Sequence, residues 1–131
     1  MDKQAIMHKT KSNYAYAYDA NTLHFRVRSK KNDLTSVTLV INHEDGWIRN
    51  EEGVYMWQKR QIPMKKEFST ELYDYWFTEV EPVDLIARYG FLVNDGESEM
   101  VFTERGFFLR ESTFLPNDST DYLSFPYILQ A

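Results

Sequence analysis

Apolar and polar residues alternate with a period of two along most of this chain, and no stretch of helical length carries an apolar stripe at i, i+3 and i+4. A strand sends successive side chains to opposite faces of a sheet, so this alternation predicts antiparallel strands with one face in a core and the other in water. Leu23-His24-Phe25-Arg26-Val27-Arg28 is the clearest case, with Leu23, Phe25 and Val27 on one side and His24, Arg26 and Arg28 on the other. Before it, Tyr14 to Tyr18 alternates ring and alanine, and Asp19-Ala20-Asn21 suits the tight connection of a hairpin. Further strands are predicted at Ser36 to Ile41, Trp57 to Pro63, Leu72 to Val80, Leu85 to Val93, Glu99 to Glu104 and, briefly, near Phe107 to Arg110. Asp45-Gly46, Glu52-Gly53, Glu81-Pro82, Asn94-Asp95-Gly96 and Pro116-Asn117-Asp118 supply turn signals between them. Seven or eight strands at this spacing predict an all-β, immunoglobulin-like antiparallel sandwich, a single domain over residues 1–131. The apolar run Phe125-Pro126-Tyr127-Ile128-Leu129 has two readings, a last core strand or the place where the chain was cut from something larger.

Several kinds of chemistry find no support. A net charge of −5 and a pI near 5.2 argue against nucleic acid, whose phosphates need gathered Lys and Arg, and Lys30-Lys31 beside Asp33 reads as a solvated turn. With no Cys there is no disulfide framework, thiolate metal site or thiol nucleophile. His8, His24 and His43 are too scattered for a metal site, and Asn94-Asp95-Gly96-Glu97 lacks the rest of a calcium loop and reads as a hairpin turn. No serine sits in a G-x-S-x-G elbow and no glycines cluster into a phosphate cradle. A glycosidase carboxylate pair is always available among twenty acids, so it carries no weight. No cofactor or metal is expected. Residues 1–10 lack the apolar core of a secretory signal and no run is long enough to cross a bilayer as a helix, so the expected location is cytoplasmic, away from membranes.

The aromatic inventory remains to be explained: nine Phe, nine Tyr and three Trp in 131 residues. A pyranose ring exposes C–H patches on its faces, and a flat indole or phenol meets them with an apolar, electron-rich surface while polar neighbours bond the hydroxyls. Trp47 follows His43-Glu44-Asp45-Gly46, a turn-rich segment with no strand alternation to bury it, and is the leading sugar platform. Tyr55 and Trp57 open the next strand and stand as its neighbours, while Tyr14, Tyr16 and Tyr18 share one face of theirs. Rings at period two are more often sandwich core, and that is the reading for Tyr73, Tyr75 and Phe77, with Trp76 pointing the other way.

The chain resembles a family along its whole length. Ala5-Ile6-Met7-His8, Asn13-Tyr14-Ala15-Tyr16-Ala17-Tyr18-Asp19, Thr22-Leu23-His24 and Lys30-Lys31-Asn32-Asp33 look like the N-terminal domain of neopullulanases, cyclomaltodextrinases and maltogenic amylases. Trp57-Gln58, Met64, Tyr73-Asp74-Tyr75-Trp76-Phe77, Arg88-Tyr89-Gly90-Phe91 and Thr103-Glu104-Arg105-Gly106-Phe107 follow in the same order. The resemblance implies a family-34 carbohydrate-binding module of immunoglobulin-like form ahead of an α-amylase-type barrel, with no catalytic residue of its own. Phe125-Pro126-Tyr127 falls about where such a module hands over to the barrel. It implies α-glucan oligosaccharides or cyclodextrins as ligands, and a homodimer in which the module leans over the partner's active site. The loop that does so usually reads acidic-Pro-Tyr-x-Trp; here Glu44 and Asp45 replace Pro and Tyr, which leaves Trp47 and Asp45 as the implied interface residues.

Two functions follow. One is a sugar-binding module using Trp47, Trp57, Tyr55, Tyr14 and Tyr16. The other is a dimerisation and active-site-gating domain with no sugar affinity, which reads Trp47 as an interface anchor. A free-standing enzyme ranks behind both.

Overall fold

A computed structural model describes residues 1–10, 12–49, 51–53, 55–82, 86–104, 106–109 and 125–128; for 42–48, 55–59, 86, 109 and 125–128 it gives the backbone alone. The described residues form ten strands and no helix. They are β1 (Ala15–Asp19), β2 (Thr22–Lys30), β3 (Ser36–Arg49), β4 (Tyr55–Pro63), β5 (Lys65–Ser69), β6 (Tyr73–Val80), β7 (Ile86–Asn94), β8 (Glu99–Thr103), β9 (Gly106–Leu109) and β10 (Phe125–Ile128). All pairings are antiparallel. One sheet has the order β1-β2-β6-β5; the other runs β4-β3-β7-β8-β9, with β10 beside β7.

The sandwich and its alternation are as the sequence predicts. Leu23, Phe25 and Val27 of β2 are buried against Leu39 and Ile41 of β3 and Tyr89, Phe91 and Val93 of β7 in one core cluster. Two strands appear beyond the eight spans predicted from the sequence. β5 was not predicted because all five of its residues are exposed, so no burial pattern marks it. Phe125–Ile128 form a strand, β10, paired with β7, while Leu129 lies outside the described residues.

The hairpin turns follow local chemistry. Asp19 Oδ1 accepts the Asn21 amide at the β1–β2 turn, and Asn94 Oδ1 accepts the Gly96 amide between β7 and β8. Gly96 adopts a φ of +95°, which a side chain would strain. Asp45-Gly46 makes no turn. Asn42 pairs with Lys59 and Trp47 with Trp57, so residues 43–46 stand against Gln58 alone as a bulge inside β3. The chain reverses at 51–53 instead, where Gly53 has a φ of +82°. The Pro116-Asn117-Asp118 signal lies outside the described residues.

Tyr73, Tyr75 and Phe77 are not core. In β6 the buried side chains are Asp74, Trp76 and Val80, while these three rings face outward, half-buried. Register decides this: Val27 of β2 lies opposite Trp76, and the outward Arg26 and Arg28 lie opposite Phe77 and Tyr75. The two faces of β6 are equally aromatic by sequence, so alternation separated them without showing which one is inside. The buried Trp76 indole donates to Ser29 Oγ at 3.1 Å, which satisfies its one polar group.

Candidate functional site

The outward face of the four-stranded sheet gathers the rings the sequence left unplaced. Along β2 it carries His24, Arg26 and Arg28; along β6, Glu79, Phe77 and Tyr75 in the opposing positions. Tyr16 of β1 lies opposite His24, and Phe68 of β5 lies opposite Tyr75. Tyr14, just before β1, holds the same row as Arg26, whose amide donates to its carbonyl at 2.7 Å. Tyr18 is 65% exposed and Phe68 49%, high values for large rings.

These rings are held in fixed pairs. Tyr18 stacks on His24 at 4.6 Å between centroids, and Phe68 on Tyr75 at 4.5 Å. The His24 imidazole contacts the Tyr16 hydroxyl at 3.0 Å and Glu79 Oε2 at 3.1 Å. Arg26 is gripped on all sides: Nε and one terminal nitrogen donate to the two oxygens of Glu67 at 2.7 and 3.1 Å, and the other terminal nitrogen donates to the Asn13 carbonyl at 2.9 Å. Its guanidinium also lies 5.1 Å from the centre of Phe77 and 5.9 Å from that of Tyr16. Glu67 raises the Arg26 pKa further above its already high value. The charges at the centre of the face are thereby satisfied by one another.

Beside the Phe68–Tyr75 stack lies an open cleft of about 320 Å³, lined by Asn13, Tyr14, Arg26, Phe68 and Tyr75. Burial, and then the neighbouring Tyr75, push the Tyr14 phenol above its ordinary pKa, so it stays a neutral donor and acceptor at the cleft wall. A second hollow of about 280 Å³ borders Phe77, lined also by Pro63, Lys65, Thr78 and Glu79.

The face is fixed from below. His8, expected as a strand or loop polar residue, is buried in the core, with Nδ1 2.8 Å from the Arg26 carbonyl and Nε2 2.7 Å from the Tyr89 hydroxyl. A carbonyl only accepts, so Nδ1–H donates to it; in the neutral ring Nε2 then accepts from the Tyr89 hydroxyl. Burial pushes its pKa down from 6.5 to about 4. At the end of the same sheet, Asp74 is 1% exposed. It accepts from Ser69 Oγ at 2.6 Å and the Asn32 amide at 2.9 Å, with Lys66 Nζ at 3.2 Å. Burial alone would raise its pKa, but these three donors outweigh burial and hold it below the usual value.

The sequence-predicted residues fall on two separate sheets. Tyr14 and Tyr16 belong to the face just described. Trp47 is not in a loop: it sits in β3 opposite Trp57 of β4, and Tyr55 lies opposite Arg49, all in the other sheet, with Asp45 in the bulge. Only Ser36 to Ile41 of β3 pair with β7, so from Asn42 onward β3 pairs with β4 alone and the two form a ribbon. Arg26, Phe68, Tyr75 and Phe77 were not singled out as site residues. A sign of them lay in the opposition of Arg26 and Arg28, plainly outward by sequence, to the rings of β6. Among the described residues no group of His, Asp or Glu is arranged to hold a metal ion.

Comparison with known proteins converges on one group. Residues 1–129 match the family described as "Alpha amylase, N-terminal ig-like domain". The chain is 41% identical over 131 residues to a maltogenic alpha-amylase of Bacillus acidopullulyticus, covering all of this chain and 21% of that protein. It is 39% identical over 128 residues to a cyclomaltodextrinase of Geobacillus thermopakistaniensis, covering 98% of this chain and 20% of that one. A solved cyclomaltodextrinase structure superposes with a TM-score of 0.78 at 31% identity, again over 98% of this chain and 20% of that one. The chain thus spans about a fifth of the length of these relatives.

Proposed function

The chain belongs to the N-terminal Ig-like domain family of the alpha-amylases, and from that premise we propose that it is the non-catalytic leading domain of a starch-degrading glycoside hydrolase, binding α-glucan oligosaccharides or cyclodextrins and shaping the substrate groove. The carrying observation is the outward face of the four-stranded sheet, where Tyr14, Phe68 and Tyr75 line an open cleft beside Asn13 and Arg26, and Tyr16, Tyr18 and Phe77 lie on the same face around His24. Stacked rings with fixed donors beside them suit a neutral polyhydroxyl ligand. The names of the relatives, cyclomaltodextrinase and maltogenic alpha-amylase, point the same way. On an open surface much contact energy is lost to ordering, so the expected Kd lies between about 1 mM and tens of micromolar. An NMR titration with β-cyclodextrin tests this. Shifts at the tyrosine and phenylalanine ring protons support it, and a spectrum unmoved at millimolar sugar refutes it.

A second reading, dimerisation and gating of a neighbouring active site, is favoured by the β3–β4 ribbon. A two-stranded ribbon in water is marginal by itself, so this one invites a surface to lie on. Deleting residues 1–131 from the full-length enzyme should then abolish the dimer and broaden substrate preference. An unchanged dimer with unchanged preference would discard this reading.

A further inference from the structure

We propose that the outward face of the four-stranded sheet binds its α-glucan along one diagonal, from the rings gathered on His24 (Tyr16 and Tyr18) across Arg26 and Phe77 to the Phe68–Tyr75 stack, a path that fits a chain of about four units. This rests on the α-glucan-binding reading above and adds to it the path and the length.

The path follows from strand order and register. Tyr16 and Phe68 lie on the two edge strands, β1 and β5, three strand spacings apart, which is about 14 Å. Tyr16 shares a row with His24 and Glu79, whereas Phe68 shares one with Tyr75 and Arg28, four residues further along β2, or about 13 Å. The diagonal is therefore close to 19 Å, too long for a disaccharide and suited to about four pyranose units.

The ring orientation along the path agrees with an α linkage. A straight β-linked chain presents its sugar faces in nearly parallel planes and needs a flat row of coplanar rings. Here the Tyr18–His24 pair is stacked within 19° and the Phe68–Tyr75 pair within 18°, but Phe77 stands at 80° to His24 between them. Successive sugars must turn as they cross, as the units of an α-linked chain do. Arg26 at the midpoint is a positioning residue. Its bonds to both Glu67 oxygens and to the Asn13 carbonyl keep Phe77 and the cleft wall in place. Arg26 and Glu67 neutralise each other at the midpoint of the path.

Calorimetric titration of this chain with maltose, maltotriose, maltotetraose, maltohexaose and cellotetraose tests the path. Affinity should rise to maltotetraose and then level off, with cellotetraose at least about tenfold weaker. Phe68→Ala and Tyr18→Ala, at opposite ends, should each cut maltotetraose affinity about fivefold to tenfold while leaving maltose within about twofold. Arg26→Lys keeps the charge but loses the fork, and should lower maltotetraose affinity with the melting transition retained; thermal melts of all three variants verify folding. Equal affinity for maltose and maltotetraose, equal binding of cellotetraose, or α-glucan binding untouched by both end substitutions would overturn the diagonal while leaving the sugar-binding reading in place. No binding of any α-glucan by the unmodified chain would remove both.

Discussion

The two sheets bury their inner faces alike but present opposite outer faces. On the four-stranded sheet the outer face is aromatic and arginine-rich, with Tyr18 and Phe68 open to solvent. On the larger sheet, Val40, Leu92 and Val101 form a small separate aliphatic cluster, exposed by 1%, 6% and 0%. Aliphatic branches have no polar end and gain only from complete removal from water. Phenols and guanidinium stems tolerate half-burial, because one end is apolar and the other is wet. The contrast separates a surface made to be covered from one made to be visited.

That distinction breaks most visibly at Val101. It lies opposite Leu92 of β7 and Phe108 of β9 and has no exposed surface. Val101→Asp places an unpaired carboxylate there and should cost about 4 kcal/mol, enough to unfold a marginal domain of this size. Denaturant unfolding checks it. A loss below 1 kcal/mol would mean that this face is not sealed in solution.

Acid should weaken the attachment of the aromatic face next. His8 is neutral when folded, with a pKa lowered by burial from 6.5 to about 4. The unfolded chain takes up the proton first, so the stabilisation is complete above pH 6.5 and is lost as pH falls towards 4. Each pH unit in that window costs at most about 1.4 kcal/mol, and the whole window about 3 kcal/mol. Melting temperatures across pH 4 to 7 should show this slope, and His8→Phe should flatten it. An equal slope in the variant would assign the effect to other groups.

Asp74 holds the far end of that sheet, joining the Ser69 hydroxyl, the Asn32 amide and the Lys66 ammonium. Asp74→Asn keeps the shape but removes the charge from these bonds. A loss of about 2 kcal/mol is expected, the scale of charge-assisted bonds at a buried acceptor. Urea midpoints measured from pH 7 downward sharpen the point: the charge contribution is complete above the ordinary value of 3.8 and is lost as pH falls through the lower folded value, so the gap between the two proteins should narrow with acid.

Sequence reading recovered the sandwich because period two is enforced by burial on a single face, as at Leu23, Phe25 and Val27. It failed where both faces carry similar residues. β6 reads Tyr-Asp-Tyr-Trp-Phe, and three rings in phase outweighed one Trp although the one Trp is inside. Only the neighbour decides, since Trp76 lies opposite the apolar Val27 and Tyr75 opposite Arg28. Trp47 was read as a loop residue because Asp45-Gly46 resembles a turn; pairing with Trp57 across a bulge is a tertiary fact that local chemistry does not contain. Tyr14 and Tyr16 were legible as candidates, while Phe68 was not, since an exposed edge strand carries no alternation.

The smallest effect on stability is expected at Tyr18, where the visited surface is most exposed. Its ring covers His24 in a stack at 4.6 Å, yet 65% of the residue faces water, so Tyr18→Ala removes little burial. The cost should be about 0.5 kcal/mol, a shift of the urea midpoint near the limit of measurement. The same substitution should still weaken binding of a four-unit α-glucan. A surface residue whose removal spares the fold but costs ligand directs its contact energy outward, whereas a stability loss above about 2 kcal/mol would show Tyr18 to be structural, and would erase the difference between the two outer faces.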